Sequence, residues 1–190
     1  MSNMEVIKRN GKKQAVEFDK VTARLTNLCY SLDKSIDALA VAQKVISGIY
    51  NGVTTVALDE LAAETAAYMS TQHPDYSRLA ARIAVSSIHK MTREKWSDAI
   101  QEMYDNVSEM TKEHAPLVSK ELKDIVMKHK EELNEIINYE RDFDFDYFGL
   151  KTLERSYLLR INNQVVERPQ HLFIRIAVGI HGDDIESVKK

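Results

Sequence analysis

The stretch IKRNGKKQAVEFDK, residues 7–20, decides how this chain is interpreted. Asn10-Gly11 favours a tight reversal, because both residue types accept positive φ. The flanking segments therefore predict a β-hairpin over residues 4–17, followed by a helix. The reversal brings five cations within reach of one point: Lys8, Arg9, Lys12, Lys13 and Lys20. Crowded cations repel one another unless an anion lies among them, so the stretch predicts an anion site, with a nucleoside triphosphate as the expected anion.

The composition limits the classes of function. The chain has 190 residues, 44% hydrophobic residues and a net charge of −3, which predicts one domain or two small ones and argues against a general nucleic-acid-binding surface. Its single cysteine, Cys29, excludes an intramolecular disulfide and suits a reducing, cytoplasmic compartment. No apolar stretch is long enough to span a membrane. The six histidines show no metal-ligand spacing with one another or with Cys29, so no metal site is predicted.

Apolar residues at helical spacing predict a mainly α fold. In the first half they predict helices at about 20–32, 37–50, 57–71 and 75–90, which with the hairpin make a compact unit ending near Thr92. In the second half they predict helices at about 95–107, 117–137 and 152–159, a hairpin around Asn162-Asn163, and a last helix from Pro169. The segment RDFDFDYFGL, residues 141–150, alternates Asp with aromatic residues and predicts an extended arm whose aromatic side packs, in preference to a cation site at Asp142, Asp144 and Asp146.

Two further features support an anion site at the hairpin. Thr54-Thr55 lie at a predicted helix start, where free backbone N–H groups and the helix dipole favour an anion. Lys90 ends the fourth helix, which in a four-helix unit can face the hairpin. The chain contains no GxxxxGK[ST] loop, so side chains and a helix start would hold the nucleotide, and binding without turnover is expected.

Three motifs in order, VIKRNGKKQAVEFDK, GVTTVALDELAAETAAYM and HPDYSRLAARIAVSSIHK, resemble the ATP-cone of the ribonucleotide reductase large subunit, of the eukaryotic-type class I group. Two later segments, RDFDFDYFGLKTLERSYLL and ERPQHLFIRIAVGIH, resemble the stretch that leads into the catalytic barrel of that enzyme. The resemblance implies an ATP-cone over residues 1–92, a small hairpin on four helices. It implies a truncated, helical N-terminal portion of the α/β barrel domain over residues 93–190.

The resemblance also implies an allosteric site for ATP or dATP, with Mg²⁺ as an optional companion of the nucleotide. The positions that match are Lys8, Arg9, Gln14, Ala15, Val16, Glu17, Phe18, Asp19, Lys20, Thr55, Asp59 and Lys90. The phosphates are expected at the Lys and Arg residues of this set, and the base or sugar at Asp59 and Val16–Phe18. Two positions depart from the family pattern: Ala57, where an acidic residue is frequent, and Ala15, where a longer side chain is frequent.

In the family, ATP keeps the enzyme active and dATP shuts it down by changing how large subunits assemble. The expected partners are further copies of the chain and a small radical-generating subunit, with neither nucleic acid nor membrane. The parent enzyme is a thioredoxin- or glutaredoxin-dependent oxidoreductase whose catalytic cysteines lie in the barrel. No catalytic residue is therefore expected within these 190 residues, and the fragment is expected to be inactive alone.

Two other functions remain open from the residues. A cone with a degraded pocket would act as a helical protein-interaction module, with the basic hairpin docked on an acidic surface. Nucleic-acid binding through the same cluster, as in cone-bearing repressors, is opposed by the net acidity and by the lack of a zinc-ribbon cysteine set.

Overall fold

The computed structural model describes residues 4–190 and confirms the mainly helical fold class. Within those residues there are ten α-helices: α1 (Phe18–Asn27), α2 (Ala38–Ser47), α3 (Thr55–Tyr68), α4 (Asp75–Met91), α5 (Trp96–Tyr104), α6 (Lys120–Lys128), α7 (Lys130–Glu135), α8 (Tyr147–Ser156), α9 (Pro169–His181) and α10 (Ile185–Val188). Short 3-10 helices occupy Met69–Thr71 and Tyr139–Asp144. In the described part of the chain, no helix combines the length and apolar character needed to cross a membrane.

Five short strands complete the described elements: β1 (Glu5–Ile7), β2 (Lys13–Ala15), β3 (Val53–Thr54), β4 (Arg160–Ile161) and β5 (Gln164–Val165). The first three form one sheet in the order β2-β1-β3. β1 and β2 are antiparallel with Val6 opposite Gln14, whereas β3 runs parallel to β1. The predicted reversal is present, with Gly11 at φ +77° and the Lys8 amide donating to the Lys12 carbonyl at 2.8 Å.

The hairpin predicted over residues 4–17 extends beyond the strands that are observed. β2 ends at Ala15, and Phe18 is the first residue of α1. The Val16 amide still donates to the Met4 carbonyl at 2.9 Å, so the chain leaves the sheet only after that bond. β3 has only two residues, too few to show a strand period in the sequence.

The described chain divides into two compact units, and the first comprises the residues up to Ser87 together with Phe143–Leu150. Helices α1 to α4 enclose its core. α3 contributes Ala62, Ala63 and Ala66, each at most 5% exposed, so small side chains let its neighbours approach closely. The predicted helix starts at Asp37 and at Thr54-Thr55 are confirmed. Asp37 caps α2 by accepting from the Ala40 amide at 3.0 Å, and Thr54 caps α3. Cys29 is partly buried and packs against this core.

The second unit comprises Ile88–Asp142 and Lys151–Lys190. Its core contains Trp96, Ile100, Met103 and Leu133, none of which is exposed. The β4–β5 hairpin turns at Asn162 and Asn163, with φ of 49° and 63°, which confirms the predicted reversal. Pro169 opens α9, also as predicted.

The predicted extended arm at residues 141–150 is wrong. This segment forms the end of a 3-10 helix and the beginning of α8, which starts at Tyr147 and not at Thr152. Asp142 is fully buried, accepts from the Gln170 amide at 3.0 Å, and lies 2.7 Å from Nε2 of His89. Asp146 accepts from the Gly149 amide in the first turn of α8. Asp142 and Asp146 therefore have separate roles, one in a tertiary hydrogen bond and one in a helix cap. The two-residue spacing of the Asp residues in this segment matches the period of a strand only by coincidence.

The predicted helix at 117–137 is interrupted. α6 ends at Lys128 and α7 begins at Lys130, because His129 adopts φ −111° and ψ 22°. Its Nε2 atom lies 2.7 Å from Oδ1 of Asp183, a contact that links this break to the end of the chain. α1 likewise ends at Asn27, earlier than the predicted residue 32, and Ser31 has a positive φ.

Candidate functional site

A cavity of about 260 Å³ lies within the first unit, between the small sheet and helices α1, α3 and α4. The hairpin supplies one wall, and the first two turns of α1 and α3, with Ile83 of α4, supply the others. Its lining consists of Val6, Lys8, Gln14, Ala15, Val16, Glu17, Lys20, Val21, Arg24, Leu25, Thr55, Leu58, Asp59, Ala62 and Ile83. The cavity is thus built from segments up to 77 positions apart in the sequence.

The inner wall of the cavity is apolar. Val6, Leu25 and Ile83 are 9%, 2% and 1% exposed, and Leu58 and Ala62 of α3 extend the same surface. The exposed residues Lys8, Glu17 and Lys20 form its mouth. A pocket with an apolar interior and a few convergent polar groups is the usual form of a small-molecule site.

The lining of the cavity contains one buried carboxylate, that of Asp59. Asp59 is 4% exposed, and two guanidinium groups converge on it. Nη2 of Arg9 donates to its Oδ2 at 2.7 Å, and Nη1 of Arg24 contacts its Oδ1. The three groups carry a formal charge of +1, so the cluster has one positive charge more than its carboxylate neutralises.

Each arginine also reaches α4. Nη2 of Arg9 donates to Oγ of Ser87 at 3.0 Å, and Nη2 of Arg24 donates to Oγ of Ser86 at 3.3 Å. Burial lowers the pKa of Arg24 to about 10, with a smaller contribution from the charge of Arg9, and burial also lowers the pKa of Arg9. Both groups remain cationic at neutral pH, so the cluster keeps its excess charge.

The mouth of the cavity contains an exposed ion pair. Nζ of Lys20 donates to Oε1 of Glu17 at 2.9 Å, and Nε2 of Gln14 donates to the same oxygen at 2.7 Å. The hydrogen bond from Lys20 lowers the pKa of Glu17. Exposed pairs of this kind contribute little stability, so an incoming anion can compete with Glu17 for Lys20.

The start of α3 lies at the same cavity. Thr54 Oγ1 accepts from the Ala57 amide at 3.1 Å, and the next residue, Thr55, belongs to the lining. A helix start presents backbone N–H groups and the positive end of the helix dipole. The cavity therefore combines an apolar wall, two lysines and a helix start.

Eight of the twelve sequence-predicted site residues belong to this lining: Lys8, Gln14, Ala15, Val16, Glu17, Lys20, Thr55 and Asp59. Arg9 is bonded to Asp59 and Ser87. Phe18, 40% exposed, and Asp19 begin α1. Lys90 is in the last turn of α4, within the second unit. Lys12 and Lys13 of the basic stretch are exposed and do not belong to the lining among the residues described. The role of each residue toward a ligand stays a prediction.

Sequence reasoning missed Arg24 and most of the apolar wall. A signal for Arg24 was available, because it follows Lys20 by four residues and such pairs share one face of a helix. The apolar wall had no such signal, since Leu25, Leu58 and Ile83 read as ordinary core positions. Their exposure to a cavity depends on how three helices meet.

Comparison with known families identifies two domains within the chain. Residues 4–91 match the model of the ATP cone domain, and residues 143–190 match that of the ribonucleotide reductase all-alpha domain. The region that holds the cavity is therefore an ATP cone domain.

The curated relatives extend this assignment over nearly the whole chain. It is 58% identical over 188 residues to the ribonucleoside-diphosphate reductase large chain 2 of Saccharomyces cerevisiae. It is 57% identical over 185 residues to the ribonucleoside-diphosphate reductase large subunit of vaccinia virus. It is 55% identical over 190 residues to the large subunit of the same enzyme from Dictyostelium discoideum. These matches cover 97–98% of the chain but only 22–24% of the relatives. The chain belongs to the ribonucleotide reductase large-subunit family, and it spans about a quarter or less of the length of these members.

Proposed function

We propose that this chain is the regulatory N-terminal portion of a ribonucleoside-diphosphate reductase large subunit, and that its cavity binds ATP or dATP as an allosteric effector. One observation carries the proposal: Lys8 and Lys20 stand at the mouth of a cavity whose inner wall is apolar and whose lining contains the buried carboxylate of Asp59. An ATP cone domain over these residues agrees with that chemistry.

The cavity suggests how the nucleotide lies. The triphosphate extends over the mouth, where Lys8, Lys20 and the start of α3 offer positive charge. The adenine base packs against the apolar wall, because aromatic surface gains free energy on leaving water. Asp59, an acceptor when ionised, is suited to a sugar hydroxyl. ATP and dATP differ by one such hydroxyl, so this contact can separate them.

The expected affinity follows from the number of charged contacts. Three or four charge-assisted hydrogen bonds contribute ~1.5–3 kcal/mol each. Part of that sum offsets the ordering cost of binding. A net value of about −8 kcal/mol, equivalent to micromolar affinity, is consistent with these terms.

Regulation would follow from differential binding. A nucleotide that binds one arrangement of the cone better than another shifts the balance between them, typically by ~1–3 kcal/mol. In the proposed enzyme, ATP would favour the active assembly and dATP an inactive one, through self-association of cones. The longer protein would act with a small radical-generating subunit, in the cytoplasm, to reduce ribonucleotides for DNA synthesis. Mg²⁺ enters only as the companion of the nucleotide.

Calorimetry with ATP and dATP on the 190-residue chain, paired with light scattering, tests the proposal. We expect micromolar binding, and a loss of at least about tenfold in Lys8→Ala, which removes one charge-assisted contact. Lys12→Ala is the matched control, because Lys12 is exposed in the same turn and lies outside the lining. The absence of binding at millimolar nucleotide, or equal losses in both variants, would contradict the proposal. Scattering unchanged by either nucleotide would contradict its assembly part.

A further inference from the structure

Arg24 is the only arginine in the described lining of the cavity, and it lies outside the set of site residues implied by the family resemblance. Its side chain is 29% exposed, and its Nη1 and Nη2 atoms contact Asp59 and Ser86. A guanidinium has five N–H donors, and these two contacts use two of them. Arg24 therefore retains donor capacity at the cavity while its position is fixed by partners on α3 and α4.

The two arginines of the cluster differ in their relation to the cavity. Both contact the carboxylate of Asp59, yet Arg24 belongs to the lining and Arg9 does not. One carboxylate cannot neutralise two guanidiniums, and the surplus positive charge is partly removed from water. Such a charge attracts an anion more strongly than a solvated surface lysine does.

The geometry of α1 places Arg24 beside the mouth. Lys20 and Arg24 are separated by one helical turn, about 6 Å along the helix axis, and both line the cavity. Two long cationic side chains on the same face of one helix can both reach a single polyphosphate chain. Glu17 already engages Lys20 through an exposed pair, whereas Arg24 is held by a buried carboxylate and is pre-organised.

We propose that Arg24 is a phosphate-binding residue of the cone, which acts with Lys20 on the polyphosphate chain of the nucleotide. This inference rests on the proposed function and extends it, because it assigns a ligand contact to a residue outside the set implied by family resemblance. In this assignment Asp59 has a second role, as the internal counter-ion that fixes the guanidinium before the nucleotide arrives.

The test measures the ATP dissociation constant of the 190-residue chain at several salt concentrations. We expect Arg24→Ala to weaken ATP binding at least about tenfold at low salt and to give a shallower dependence on salt, because one charged contact is lost. Arg24→Lys retains the charge and is expected to keep the salt dependence of the unmodified chain, with a smaller loss of affinity. Arg78→Ala is the matched control, since Arg78 is an exposed arginine of α4 outside the lining, and we expect no change.

The outcomes distinguish a failure of the proposed ATP binding from a failure of the Arg24 assignment. If the unmodified chain binds no ATP, the proposed function itself fails. If it binds ATP and Arg24→Ala binds equally well, only the assignment of Arg24 fails. A weakened Arg24→Ala with an unchanged salt dependence would show a structural role and would also overturn the assignment. If Arg24→Ala does not fold, Arg24→Lys decides: loss of the salt dependence despite the retained charge overturns the inference.

Discussion

The burial and ion pairing of Asp59 cannot be inferred from the residues next to it in the sequence. In the stretch TTVALDELAAE, residues 54–64, it is one of three acidic residues, a residue type that is usually exposed on a helix. In the folded chain it is 4% exposed and binds guanidiniums from the hairpin and from α1. An isolated buried carboxylate is costly, whereas a paired one is tolerated. Its partners therefore explain both its burial and the positions of Arg9 and Arg24.

His171 is a second buried polar residue, and it leads to a prediction about pH. It is not exposed, and its Nε2 lies 2.9 Å from the Tyr139 hydroxyl. Burial, and secondarily the charge of Arg168, lowers the pKa of His171 from 6.5 to about 3. Below pH 6.5 the unfolded chain takes up a proton at this residue and the folded chain does not. Stability is thus lost as the pH falls from about 6.5 toward 3.

Urea unfolding at pH 7 and pH 5 measures this loss. The free energy of unfolding of the unmodified chain is expected to fall by about 2 kcal/mol more than that of His171→Gln, which cannot titrate but can donate to the Tyr139 oxygen, whose own O–H donates to the Glu94 carbonyl. The difference between the two proteins removes the contributions of the other histidines. Equal losses in both would show that His171 is protonated in the folded chain near its ordinary pKa.

Helix α3 illustrates what the sequence specifies for a whole element. Thr54 was expected at its start, and the structure confirms the cap. Helix α6 also begins at a hydroxyl cap, Ser119, which accepts from the Leu122 amide at 3.1 Å. Caps are local, because they involve residues three apart, and sequence patterns therefore find them reliably.

Removal of the α3 cap has a measurable cost. Thr54→Ala is expected to lower the free energy of unfolding by about 1 kcal/mol, because the Ala57 amide loses its acceptor. The melting temperature should fall by about 2–4 °C. Thr71→Ala is the control, since the exposed Thr71 hydroxyl makes only a 3.4 Å bond to the Tyr68 carbonyl. Similar shifts in both variants would contradict a specific capping effect.

The elements that were predicted incorrectly share a cause. The segment at 141–150 and the break at His129 involve Asp142 and Asp183, whose hydrogen bonds reach residues far away in the sequence. Two of these contacts join residues 28 and 54 positions apart. A pattern of side-chain types over ten residues carries no information about such partners.

The two compact units give a prediction for the chain as a whole. Each unit has its own core: the first is centred on residues such as Leu79, and the second on residues such as Leu133. The candidate cavity lies entirely within the first unit. The ligand-binding property should therefore depend on the first core alone.

Leu133→Ala tests this separation. Its side chain is fully buried, so the substitution is expected to destabilise the second unit by about 2–5 kcal/mol. Hydrogen exchange should report faster opening of α5 to α7, while the ATP affinity of the folded chain stays within about twofold. Ile83→Ala provides the contrast, since Ile83 lines the cavity and its loss should weaken ATP binding. A parallel drop in affinity for Leu133→Ala would show that the second core supports the site.

The sequence by itself determined the helical class, the hairpin turn at Asn10-Gly11, the caps at Asp37 and Thr54, and the cluster of lysines near the chain start. These depend on backbone preferences and on contacts within a few residues. Only the tertiary structure decided that Arg24 shares a buried carboxylate with Arg9, that Leu25 and Ile83 face a cavity, and that Asp142 is buried against His89. Those features arise where distant segments meet, and the free energy that fixes them comes from burial and pairing between elements.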